Sequence, residues 1–144
     1  MTEFIQGLFT RLSPADYMQA TATTLKITLI SVVLAYVIGL PLGVLLYGTA
    51  KGAIFQNKWV NTVVGVVVNI LRSIPFIILL VMTQPIAKVV VGSRIGDNAF
   101  IFYLVIAAAP FVARMVESSF KEVDAGVIEA AQSMGSNNFQ IITK

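Results

Sequence analysis

An all-α, multi-pass membrane fold is what this sequence predicts, and three observations carry the prediction. Of its 144 residues 57% are hydrophobic and only 12% are charged, whereas roughly a quarter of a soluble domain is charged. Three apolar runs, about 24–47, 60–82 and 100–116, approach or reach the about 20 residues that a helix needs to cross roughly 30 Å of hydrocarbon. After the third run the chain turns polar, from Val123 to Lys144. The sequence has no Cys and no His, which removes disulfides, thiolate chemistry, Cys/His metal sites and a His general base. The net charge is +3, but the basic residues stand singly from Arg11 to Lys144. They read as charges flanking a membrane, without the clustered basic and aromatic pattern of a nucleic-acid binder.

The N-terminal segment, residues 1–20, opens with Phe4, Ile5, Leu8, Phe9 and Leu12 on one helical face and Glu3 among them. That arrangement suits an interfacial helix rather than a cleaved signal peptide. Ser13-Pro14-Ala15-Asp16 then starts a helix, with Ser13 as N-cap, proline in the first turn and an acid at the positive end of the dipole. In the first span Thr28, Ser31, Ala35, Gly39 and Gly43 recur three or four residues apart. Such a stripe of small residues lets helix backbones approach closely, and it reads as a packing face, with a substrate-lining face as the alternative. Pro41, between the two glycines, is expected to bend the helix.

The second span carries the residues with unusual chemistry. Thr62, Gly65, Asn69, Arg72 and Ser73 share a small or polar face. Arg72 lies about 15 Å inside the start of the span at 1.5 Å per residue, near the bilayer midplane. A charge at that depth needs a partner or a wet cavity. Pro75 disfavours helix at Ile74, so Arg72-Ser73-Ile74-Pro75 is expected to be an interrupted turn. Two readings stand for Asn69, Arg72, Ser73 and Pro75: an electropositive constriction that meets a substrate carboxylate, or an arginine bonded to helix-end carbonyls at a subunit interface. Thr83-Gln84-Pro85 is expected to end the span, with 86–91 lying along the outer surface.

Gly92 and Gly96 turn the chain toward the third span, with Asp97 or Asn98 available as its cap. Ala107-Ala108-Ala109-Pro110 gives that span a thin middle. Arg114 and Glu117, three apart, read as a solvated pair where the helix leaves the bilayer. Beyond it, Asp124 suits an N-cap, and Val127, Ile128, Ala131 and Met134 recur at helical spacing around exposed Glu129. Gly135 supplies a left-handed residue to end this short helix, and Ser136-Asn137-Asn138 is placed to cap a second one near Phe139.

Glu129-Ala130-Ala131, three residues, then Gly135 resembles the first half of the cytoplasmic coupling-loop signature of bacterial ABC importer permeases, Glu-Ala-Ala-x3-Gly-x9-Ile-x-Leu-Pro. The segments IGLPLGVLLY at 38–47, NILRSIPFIILL at 69–80 and AAPFVARMVE at 108–117 look like the methionine-importer branch of that family. The resemblance implies a transmembrane permease domain over 21–144, incomplete at its C-terminal end, with a coupling loop at 123–144. It implies ATPase contacts from Val127, Glu129, Ala130, Ala131, Met134, Gly135 and Phe139. Implied partners are a cytoplasmic ATPase dimer that holds ATP and Mg, an extracytoplasmic solute-binding protein or lipoprotein, a second copy of the permease, and lipid.

Orientation does not follow from charge. Lys51, Lys58, Arg114, Lys121 and Lys144 on one side face Arg11, Lys26, Lys88 and Arg94 on the other, nearly a tie under the positive-inside rule. The resemblance puts the coupling loop in the cytoplasm of a bacterial inner membrane and the N-terminus outside. The function expected is the permease subunit of an ATP-driven importer, for methionine or related amino acids. The chain itself lacks a Gly-x4-Gly-Lys-Ser/Thr phosphate loop, so it is expected to be non-catalytic. An ion-coupled carrier is the first alternative, weakened because no Asp or Glu sits within an apolar core. A non-transporting assembly protein is the second.

Overall fold

A computed structural model describes residues 13–51, 53, 56–137 and 140–141. The expected interfacial helix over 1–12 lies outside them, as does Phe139. Five helices follow in order among the described residues: α1 (Pro14–Gly48), α2 (Lys58–Ser73), α3 (Phe76–Val90), α4 (Asp97–Lys121) and α5 (Ala125–Ser133). Two of them, α1 and α4, are long and apolar enough to cross a membrane, and the bent pair α2 and α3 makes a third crossing if it is one broken span.

The first helix starts where Ser13 and Asp16 form a capping box. The Asp16 amide donates to Ser13 Oγ at 3.3 Å, and the Ser13 amide donates to Asp16 Oδ2 at 2.8 Å. From there α1 runs 35 residues, unbroken through Pro41. At 1.5 Å per residue that is about 52 Å, well beyond the hydrocarbon thickness.

The second apolar run does not form one helix. Ile74 takes extended geometry (φ −81°, ψ 125°), and the chain bends by 117° between α2 and α3. The cause is local: Pro75 has no N–H to give to the turn before it, and its ring excludes Ile74 from helical geometry. The far boundary also differs from expectation. Pro85 does not end α3, which continues to Val90, so 86–91 is the last turns of a helix and its C-cap rather than a separate surface segment. Tertiary packing outweighs the proline here. Leu79, Thr83 and Ala87 form a buried stripe at four-residue spacing, and Ala87 packs with Ala99 and Tyr103 of α4.

The fourth helix is the hub. It makes its most extensive contact with α1 and also touches α2 and α3. It begins at Asp97, capped by Gly96 at φ +108° rather than by Asp97 or Asn98. Asp97 instead occupies the first turn, where its charge favours the helix dipole. A second cluster, Leu46 with Val68 and Ala113, joins α1, α2 and α4 near the other end of the bundle.

Candidate functional site

The polar bracket after α4 is built by its caps. The Gly126 amide donates to Asp124 Oδ1 at 2.6 Å, which closes the start of α5. At the other end Gly135 adopts φ +83°. The Gly135 amide donates to the Gln132 carbonyl at 2.9 Å and the Ser136 amide to the Ala131 carbonyl at 3.0 Å. This is the paired bonding of a Schellman stop, and it requires a residue that accepts left-handed geometry. The chain then restarts immediately. Asn137 and Gln140 exchange reciprocal bonds, with the Asn137 amide on Gln140 Oε1 at 2.9 Å and the Gln140 amide on Asn137 Oδ1 at 3.1 Å. Residues 140 and 141 are helical, and this exchange makes Asn137 their cap.

These caps hold up a short helix that leaves most of its described side chains exposed. Val127 is 62% exposed and Met134 80%. Glu129, Ala130 and Gly135 are also exposed, and Ala131 is half-buried. A cation-complementary carboxylate, two small residues and two bare apolar side chains therefore share one nine-residue helix and its stop.

Around the bend between α2 and α3, the residues singled out in sequence divide. Asn69 is engaged: its Oδ1 accepts from Arg114 Nη2 at 2.8 Å and Nε at 3.2 Å. Ser73 Oγ donates back to the Asn69 carbonyl at 2.8 Å. Pro75 is the N-cap of α3, which has no side-chain cap. Arg72 is exposed, in the last turn of α2, with its guanidinium carbon 6.0 Å from the centre of the Phe111 ring. That is within range of a cation–π contact. No carboxylate among the described residues pairs with it.

Arg114 and Glu117 are not the solvated pair that their spacing suggested. Glu117 is only 4% exposed. One of its oxygens accepts from Arg114 Nη1 and the other from Lys121 Nζ at 2.7 Å. The packing of α4 against its neighbours turns this carboxylate inward, and two cations compensate its desolvation. Spacing alone names the pair but not the side of the helix that is covered. The sequence did carry a signal for the third member, since Lys121 stands four residues beyond Glu117, the favourable order for an ion pair on a helix.

The small-residue stripe of α1 faces α4. Ser31, Ala35, Gly39 and Gly43 are all buried. A Cβ placed on Gly39 would lie 2.6 Å from Val112 Cβ and 2.9 Å from the Ala109 carbonyl, and one on Gly43 would lie 2.6 Å from Val116 Cβ. Size, not polarity, is what the seam uses, because the Ser31 hydroxyl is buried without a hydrogen-bond partner. A further clasp had no evident sequence signal. Asn61 Nδ2 donates to the Leu46 carbonyl at 2.7 Å and to Thr49 Oγ1 at 3.1 Å, tying the start of α2 to the end of α1.

Comparison with known proteins agrees with this architecture. The chain is 50% identical over 121 residues to the D-methionine transport system permease protein MetI of Salmonella typhimurium, covering 84% of this chain and 56% of that one. It is 53% identical over 100 residues to the methionine import system permease protein MetP of Bacillus subtilis, covering 69% and 45%. It superimposes with a TM-score of 0.86 and 45% identity on a chain of the inward-facing MetNI methionine ABC transporter, covering 92% of this chain and 63% of that one. The chain thus spans about half the length of the curated relatives it matches. Residues 39–144 match the family described as binding-protein-dependent transport system inner membrane component. By that match, and by identities near half over most of its length, the chain belongs to the family of inner membrane components of binding-protein-dependent transport systems.

Proposed function

We propose that this chain forms the core of the membrane subunit of an ATP-driven importer for methionine or related amino acids. One observation carries the reading: a capped helix, α5, follows a span directly, and Val127, Glu129 and Met134 on it and its stop are exposed among the described residues. An exposed apolar pair beside a charge, on a rigid short helix, suits a groove in a partner protein. In this reading α5 seats in a cytoplasmic ATPase subunit. Glu129 meets a basic residue there, Ala130 and Ala131 allow close approach, and Gly135 sets the angle of the bracket. The second bracket helix adds the Phe139 contact. ATP and Mg are held by the ATPase dimer, and the permease works as two copies in the inner membrane. Substrate arrives from an extracytoplasmic binding protein, and the N-terminus of α1 is outside.

The bend is the proposed pathway element. Arg72 is a cation with no carboxylate partner among the described residues, next to the helix interruption at Ser73 to Pro75, and it suits the carboxylate of an amino acid in transit. An ion-coupled carrier is the weaker reading. Glu117 is the buried carboxylate closest to a relay, and both of its oxygens are already engaged by Arg114 and Lys121.

The test is copurification of the ATPase with tagged permease, wild type against Gly135→Arg. Among the described residues nothing lies within 4 Å of a Cβ added at Gly135, so the substitution leaves the bundle core intact. It nevertheless strains the φ +83° stop by about 1–2 kcal/mol and projects a cation from the docking face. Loss of ATPase from the variant alone is the expected result. Equal recovery with both proteins would overturn the docking role of α5.

A further inference from the structure

Three features lie in sequence along one path: the coupling helix α5, the buried carboxylate Glu117 near the end of α4, and the bend after α2. Glu117 sits eight residues before α5 starts. It locks Arg114 and Lys121 to the last two turns of α4. Arg114 then reaches off its own helix to Asn69, one turn before the break at Ile74. The guanidinium fork is used on both sides at once, Nη1 on Glu117 and Nη2 with Nε on Asn69. A planar group held in this way has little freedom to turn, so displacement of the α4 end is passed to α2 rather than absorbed by rotation of a side chain. The other α2–α4 contacts described in this region, Val68 packed with Ala113 and Arg72 over Phe111, include no comparable two-sided hydrogen bonding.

We infer that Arg114, oriented by Glu117, and Asn69 are positioning residues that carry the movement of the coupling helix to the α2 bend. This inference rests on the proposed permease function. It assigns Asn69 to transmission and leaves Arg72 as the cation that faces the pathway. In this inference the bend is the element that moves, and the Arg114 to Asn69 contact ties its position to that of α5.

The experiment uses the natural full-length polypeptide that carries this sequence, reconstituted in vesicles with its ATPase and binding protein. Substrate taken up per ATP hydrolysed is compared across variants, alongside ATPase copurification. Asn69→Leu removes the acceptor. Arg114→Lys keeps the charge on Glu117 but loses the fork that spans to Asn69, so it cuts the same link from the other side. Asn69→Asp restores an acceptor. The expected result is a fall of about tenfold in uptake per ATP for Asn69→Leu and Arg114→Lys, within the usual range of coupling between sites. The ATPase should remain bound in both, and Asn69→Asp should hold the ratio near wild type. An unchanged ratio in either cutting variant overturns the inference. So does loss of the ATPase from Asn69→Leu, which would make the contact purely structural. If the wild-type protein itself retains no ATPase, the permease reading fails first, and that outcome is distinct from both.

Discussion

Replacing Gly39 with alanine should destabilise the protein, although the same change at Gly65 should not. Both glycines lie inside helices and are buried, so intrinsic propensity favours alanine at each by about 0.8–1 kcal/mol. What differs is the space. At Gly39 the new methyl would meet Val112 Cβ at 2.6 Å, Val112 Cγ1 at 2.7 Å and the Ala109 carbonyl at 2.9 Å. Carbon atoms at rest sit roughly 3.5–4.0 Å apart, so α1 and α4 must separate by about 1 Å. A gap of that size forfeits about a quarter to a half of each dispersion contact along the seam, and overpacking of this kind costs about 1–3 kcal/mol. Set against the propensity gain, the net effect is destabilisation of up to about 2 kcal/mol. At Gly65 the nearest atoms to an added Cβ, Arg114 Nη2 and Leu46 Cδ2, are 3.8 Å away, an ordinary contact. There the propensity gain survives, and stability should be unchanged or higher. Equilibrium unfolding of the full-length protein in mixed micelles measures both variants against wild type. If Gly39→Ala proves as stable as Gly65→Ala, the close seam between α1 and α4 is not what holds the bundle.

Further tests address the bend and the placement of the helices in the bilayer. Pro75→Ala restores an amide that can donate to the Leu71 carbonyl and frees Ile74 for helix. Spin labels at the exposed positions Val63 and Val89, about 20 Å apart across the 117° bend at 1.5 Å per residue, should move toward the roughly 38 Å of a straight helix. An unmoved distance would show that tertiary contacts and not Pro75 impose the bend. Trp59 is the single tryptophan of the chain and is 83% exposed in the first turn of α2. An indole there belongs at the level of the lipid headgroups. Its fluorescence should be quenched more by a headgroup quencher than by bromines at the acyl-chain ends, and the reverse order would place the start of α2 in the hydrocarbon.

The parts legible from sequence are those decided by neighbours in the chain. Ser13 with Asp16, Asp124, and Gly135 announce helix ends because capping is a contact over two to four residues. The extents of α1 and α4 follow from long apolar runs, although α4 extends past both expected limits because its polar first and last turns remain helical. What local reading loses is decided elsewhere. Pro85 would end an isolated helix, but Ala87 beyond it is completed by Ala99 and Tyr103, and α3 continues. Ile74 and Pro75 predict an interruption without its angle of 117°, because the proline excludes helix at Ile74 without specifying how far the two halves fold back. Glu117 looks solvated at the end of a span, and only the covering of its flank makes it buried.

The lengths of the two long helices have a mechanical consequence for the membrane around them. Between Lys26 and Gly48 the apolar part of α1, Ile27 to Tyr47, measures about 31 Å along its axis at 1.5 Å per residue, a match for the hydrocarbon. In α4 the corresponding stretch from Ala99 to Val116, bounded by Asp97 and by Glu117, is about 27 Å, because the Arg114 charge is turned inward onto Glu117 and Asn69. Because glycines lock the two rods together side by side, neither can slide to hide the difference. The molecule therefore presents a difference of about 4 Å in hydrophobic height from one flank to the other. Lipid beside α4 must thin to meet it, or a protein neighbour must stand there in its place.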